Sequence, residues 1–201
     1  MIERGMIFNA EMVRAILDGR KTQTRRPVRF PILDKNLGCE LAGNELAGEL
    51  SAGNYLNSAF GKPGHRIWVR ETWTPESIDA EDGSYSPDYR ATPNGQPLDG
   101  RWTPAIHMPR WASRILLEIT NVGVQRLQSI SPNDAAREGL VKLPATGRYC
   151  INQGDQYFGG ASHDAREVFS WLWASIYGEE SWSANPWVWV IEFKRVEGGA
   201  A

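Results

Sequence analysis

The sequence predicts an α+β domain built on a small twisted or closed sheet. Three observations predict it. Apolar, strand-type segments at 67–69, 115–122 and 187–194 are widely spaced along the chain. Short amphipathic helical patterns lie between them, and a helix near the start and a strand near the end tie both termini into the fold.

Taken in order, residues 9–19 read as the first helix. Asn9 is its N-cap, Met12, Val13, Ile16 and Leu17 form its apolar stripe, and Gly19 stands at C′. A basic segment, Arg20 to Pro27, follows. Residues 31–64 are Gly-rich, with a Glu-Leu-Ala-Gly echo at 40–43 and 45–48 too local to signal a repeat protein. Ile67, Trp68 and Val69 form a buried strand ending near Glu71. Residues 75–105, dense in Pro, Gly, Asp and Ser, read as a long surface loop whose 76–88 part holds five acids and no base. Residues 115–122 form the next strand. Ser131 then caps a short helix, with Pro132 in its first turn and Gly139 at its end. A further loop leads to Asp164 and Glu167, a capping box, and to a helical face of Val168, Phe169, Leu172, Trp173, Ile176 and Tyr177 closed by Gly178. The last strand, 187–194, is apolar on both faces before Glu192 and Lys194 turn a polar face outward.

The chain has 201 residues, with 22 Lys and Arg against 24 Asp and Glu, a net charge of −2. That excludes a protein that coats nucleic acid through net charge alone. Cys39 and Cys150 form no CxxC pair, and the first residues carry no signal-type apolar run. The expectation is a cytoplasmic protein with no membrane span. Nine tryptophans are present, five of them after residue 170. Trp173, Trp187 and Trp189 fall at core positions of their elements, and Trp68 reads as buried in its strand. Trp102 and Trp111, beside arginines, are the candidates for stacking on a planar ligand.

Between Arg14 and Arg29 stand six basic residues and one acid, Asp18. Arg20 and Lys21 suit the negative end of the first helix, but Arg25 and Arg26 lie beyond it, so the segment also reads as an anion or nucleotide grip. Lys21 and Thr24 are three residues apart; a turn-like backbone would set them on one face, a hydroxyl beside an amine that neighbouring cations hold partly neutral. Glu138, at the negative end of the 131–138 helix, is a candidate proton shuttle or an exposed glutamate on a short helix. His65, His107 and His163 are isolated, so no metal site is expected. The segment 107–114 interleaves Arg110 and Arg114 with Trp111, which fits stacking plus phosphate contact and equally fits a loop pinned by packing.

Together these segments resemble the ASCH family, a branch of the PUA-like β-barrel superfamily associated with RNA and modified nucleosides. The resemblance is carried by the 9–19 helix with Gly19-Arg-Lys-Thr-Gln-Thr-Arg25, by Gly64-His-Arg-Ile-Trp-Val69, by 115–122, by Asp134-Ala-Ala-Arg-Glu-Gly139 and by Val190-Ile-Glu-Phe-Lys194. It implies one PUA-like small barrel with short helices, lengthened as in prophage-type members by insertions near 31–63, 75–105 and 141–162. Small bacterial members hydrolyse N(4)-acetylcytidine with a Lys, a Thr and a Glu, which fall here on Lys21, Thr24 and Glu138. The implied function is an amidohydrolase acting, without a cofactor, on an acylated cytidine, free or in RNA. Arg25, Arg26, Arg110 and Trp111 would then contact substrate or RNA. The alternatives are a non-catalytic RNA-binding module and an RNA-cleaving enzyme.

Overall fold

In the computed structural model, which describes residues 2–79 and 85–196, the chain is a mixed α+β protein. It runs through β1 (Glu3–Ile7), α1 (Ala10–Leu17), β2 (Gln23–Pro27), β3 (Ile32–Leu33), β4 (Glu40–Leu41), α2 (Gly43–Ser51) and β5 (Arg66–Arg70). Next come β6 (Trp73–Asp79), β7 (Tyr85–Tyr89), β8 (Gly95–Pro97), β9 (Leu116–Arg126), α3 (Pro132–Arg137), β10 (Val141–Lys142) and β11 (Tyr149–Cys150). The last are β12 (Ala161–Ser162), α4 (Ala165–Tyr177), α5 (Glu180–Ser183) and β13 (Trp187–Arg195). The described residues fall into two units: one of 2–18, 65–79, 85–118 and 194–196, the other of 19–64 and 119–193.

In the first unit Asn9 caps α1 as expected, its side chain accepting the Met12 N–H at 2.8 Å. β1 runs parallel to β5, from Glu3 opposite Arg66 to Ile7 opposite Arg70, and β5 pairs antiparallel with the start of β9. β5 buries Ile67 and Val69 and turns Arg66, Trp68 and Arg70 to its other face. Trp68 is therefore half-buried, not a core residue: its ring lies so close over β1 that a Cβ on Gly5 would sit 2.6 Å from it, with the Arg70 guanidinium 5.4 Å from the ring centre.

The expected loop at 75–105 instead carries strands of a sheet of order β7-β6-β8. The prolines that suggested a loop are accommodated by an irregular ladder. Register between β6 and β7 shifts between Thr74 and Ser77, beside Pro75 and opposite Pro87, where missing N–H groups cost no regular bond. Of the acids in the expected surface loop, Asp88 is buried and accepts the N–H groups of Tyr89, Asn94 and Gly95. Glu81 and Asp82 lie outside the described residues. Trp73, Met108 and Ala112 form the local core, with Tyr89 against it.

In the second unit the order is β9-β13-β2. β13 and β2 are antiparallel, from Val188 opposite Pro27 to Glu192 opposite Gln23. α4 begins at its Asp164 cap and ends at Gly178. It buries Val168, Phe169, Leu172 and Trp173 against Leu127, Ile130, Ala135, Leu140 and Val188. Each such side chain contributes about 1.5–3 kcal/mol by leaving water. The two Glu-Leu-Ala-Gly copies take different structures: the first spans β4 and the entry to α2, while the second lies inside α2, where Glu45 accepts the Ala42 N–H at 2.8 Å. Residues 141–162 include the small sheet β10-β11-β12.

The expected barrel is corrected by the sheets: none among the described residues closes on itself. Closure requires one continuous staggered ladder, whereas many of these strands are spent in separate sheets of only two or three.

Candidate functional site

The second unit brings the basic segment onto the end of α3. Ser131 starts that helix by accepting the Asp134 N–H, Pro132 occupies its first turn, and Glu138 is its C-cap. Gly139 follows at φ 108°, a left-handed conformation that a glycine adopts without penalty. The last carbonyls of a helix have no partners within it, and the basic segment supplies them. Thr22 N donates to Arg137 O at 3.0 Å, Lys21 pairs with Glu138 as an isolated antiparallel bridge, Lys21 Nζ donates to Glu138 O at 2.8 Å, and the Arg20 guanidinium donates to Gly139 O. Arg20 and Lys21 thus offset the negative end of α3.

The Glu138 carboxylate lies between two cations. Its Oε2 is 2.9 Å from Lys21 Nζ and its Oε1 is 2.8 Å from Arg25 Nη1, with all three side chains at most 3 % exposed. Arg25 Nη1 also donates to the Gln23 amide oxygen, and the ring of Phe169, on α4, lies 5.9 Å from the guanidinium carbon. Burial pushes the Lys21 ammonium below its ordinary pKa of 10.5. The Glu138 charge opposes that shift, while Arg26 and Arg25 add to it.

Thr24 is fully buried. It is reached by strand and not by turn: Gln23–Pro27 is β2, so side chains alternate, with Gln23 and Arg25 on one face and Thr24 and Arg26 on the other. The turn-like backbone expected between Lys21 and Thr24 is therefore absent. Its place is taken by β2 pairing with β13, which sets Thr24 opposite Ile191. The Lys21 ammonium senses arginines from both faces.

Gln23 and Phe169 were not singled out from the sequence. A strand reading of 21–25 would have found Gln23, since Lys21, Gln23 and Arg25 then share a face; Phe169 reaches the site from 144 positions beyond Arg25, and nothing local signals it. Arg137 is a further unforeseen member, donating to Glu192 Oε2 at 2.7 Å and to Thr22 Oγ1 at 3.3 Å.

Arg110 and Trp111 belong to the first unit. Arg110 Nε donates to Glu3 Oε2 at 3.0 Å. Trp111 is 64 % exposed and meets Trp73 edge-on, with ring centres 5.4 Å apart. Among the described residues no three His, Cys, Asp or Glu side chains converge as metal ligands, and no helix is long and apolar enough to cross a membrane.

Neither a family model nor a curated protein matches the chain. Two solved structures are similar to it at low identity. An ASCH domain from Lactobacillus crispatus JV V101 is 14 % identical, with a TM-score of 0.35 over 96 % of this chain and 79 % of that one. A protein from Enterococcus faecalis V583, described by the family model DUF984, is 12 % identical, with a TM-score of 0.36 over 98 % of this chain and 80 % of that one.

Proposed function

We propose that the chain is an amidohydrolase that removes the acyl group from an N(4)-acylated cytidine through Lys21, Thr24 and Glu138. The observation that carries this reading is the double pairing of Glu138. Because Arg25 holds Oε1 independently, Lys21 can give up its proton without leaving the buried carboxylate uncompensated. Burial, which already depresses the Lys21 pKa, favours the neutral amine. A neutral amine is the general base that a threonine hydroxyl needs.

β2 sets Thr24 on the face opposite Lys21, so in this mechanism a local opening first brings the two together; Thr24 Oγ then attacks the amide carbonyl carbon and its proton passes to Lys21 Nζ. The C–N bond then breaks, and the same proton goes to the departing N4 nitrogen, releasing cytidine and leaving an acyl ester on Thr24. Water attacks that ester with Lys21 again taking the proton, the ester C–O bond breaks, and Thr24 recovers its hydrogen as the carboxylic acid leaves. Glu138 and the α3 terminus hold the amine in position. All three side chains are buried, so turnover requires a local opening.

The test is chromatography for cytidine released from N(4)-acetylcytidine by the purified chain. Release is expected from the wild type and lost in Thr24→Ala and Lys21→Met. No release, or release undiminished in both variants, overturns the reading.

One observation favours a second reading. Trp111 is an exposed ring fixed by Trp73 beside Arg110, a stacking platform for single-stranded RNA. Its signature is RNA affinity that falls with salt and with Trp111→Ala.

A further inference from the structure

Arg25 has more donors than the protein satisfies. Its Nη1 is used twice, by Glu138 Oε1 and by Gln23 Oε1. Its Nε and Nη2 are buried and have no hydrogen-bond acceptor among the described residues, and the whole side chain is 1 % exposed. Buried polar groups are nearly always paired, and a charged donor left unpaired is the costliest exception. The two idle groups are adjacent on the guanidinium: Nε–H and the neighbouring Nη2–H form its side edge, two parallel donors that match the two oxygens of a carboxylate. Phe169 approaches the guanidinium carbon, adding an apolar wall to the place where a small acyl chain would sit.

Charge points the same way. Once Lys21 has taken up the proton, Lys21 and Arg25 contribute two positive charges to the buried cluster, and Glu138 returns one negative charge. A single further anion completes the balance, and inside a low-dielectric interior that balance is worth more than at a surface.

We infer that the Nε/Nη2 edge of Arg25, walled by Phe169, is a carboxylate subsite that receives the acyl oxygen of the substrate and both oxygens of the carboxylate product. The assignment rests on the hydrolase reading for its biological ligand, but not for its test. Lys21 and Glu138 manage the proton and Arg25 takes the charge that develops on oxygen.

The experiment is a titration of the full chain with sodium acetate at constant ionic strength, set by sodium chloride and followed by thermal unfolding and by line broadening of labelled acetate. Saturable binding is expected in the wild type and in Arg101→Gln, which removes an exposed charge elsewhere. Arg25→Lys keeps a cation for Glu138 but lacks the two-donor edge, and acetate should bind it at least about tenfold more weakly. Gln23→Glu places a carboxylate beside the same guanidinium and should weaken acetate by about as much. Equal acetate binding in wild type and Arg25→Lys, or no saturable effect in the wild type, overturns the subsite. Acetate binding without cytidine release retains the subsite and removes the hydrolase; cytidine release without acetate binding does the reverse.

Discussion

Lys21 Nζ donates to two oxygens of one residue, Oε2 of the Glu138 side chain at 2.9 Å and the Glu138 main-chain oxygen at 2.8 Å. One amine thereby closes the end of α3 and balances the carboxylate beside it. The two roles separate by mutation. Glu138→Ala leaves Lys21 and Arg25 buried as like charges with no counter-ion, and removing one partner of a buried pair costs about 3–5 kcal/mol. Lys21→Met keeps the volume and leaves Glu138 paired to Arg25, so its loss should be smaller. Urea unfolding of the two variants checks the order; a larger loss in Lys21→Met would contradict it.

The same amine sets a pH dependence. Its folded-state pKa lies below 10.5, with burial as the leading cause. Between that lowered value and 10.5 the unfolded chain binds more protons at Lys21 than the folded one, so the Lys21 contribution to stability rises with pH. Below the folded value the unfavourable contribution is fully present. Stability of the wild type minus that of Lys21→Met should therefore increase through the alkaline range up to about pH 10.5, read by denaturant midpoints at a series of pH values. A difference that falls over this range would mean that the ion pair, not burial, governs the group.

Much of this architecture was legible because its signals are local. Asn9, Ser131 and Asp164 cap the helices they precede, and Gly139 and Gly178 end theirs, each through a bond or dihedral set within a few residues. What escaped was non-local. The sheet at 73–97 depends on a shifted ladder that tolerates Pro75 and Pro87, and composition alone reads such prolines as loop. Lys21 and Glu138 are 117 residues apart, so no pattern in the chain joins them; only the likeness of their flanking motifs to a known family suggested the pair. The sequence places Arg25 in an anion or nucleotide grip, with no sign that it is buried. Its place beside Gln23 and Lys21 follows from the alternation of β2, which a turn reading of 20–26 conceals.

Gly43 is a position where a single methyl should be costly. A Cβ there would lie 2.3–2.4 Å from the indole of Trp187, and the Arg126 guanidinium stacks 4.6 Å from the same ring, restricting its retreat. At this first position of α2 alanine would gain less than the interior helix propensity of about 1 kcal/mol. Overpacking against a held ring costs about 1–3 kcal/mol, so Gly43→Ala should be net destabilising, by thermal unfolding. A Gly43→Ala, Trp187→Leu double variant should recover part of the loss, because the coupling is between these two groups.

In the first unit, Arg114 grips Glu71 with two parallel bonds, Nε to Oε1 at 2.9 Å and Nη2 to Oε2 at 3.0 Å, while Nη1 donates to Thr92 Oγ1 at 2.8 Å. Its guanidinium also lies 4.0 Å from the Tyr89 ring centre. The Glu71 side chain is 2 % exposed and that of Arg114 26 %, so the carboxylate depends on this arginine far more than the arginine depends on it. Arg114→Ala should accordingly cost about 3–5 kcal/mol, the range for stranding a buried charge. Glu71→Gln, which keeps an acceptor for the half-exposed arginine, should cost less. Arg114→Lys restores charge but neither the two-bond fork nor the planar face on Tyr89; it should recover only part of the loss. Urea unfolding of the three variants distinguishes this from simple charge pairing, under which lysine at 114 would restore wild-type stability.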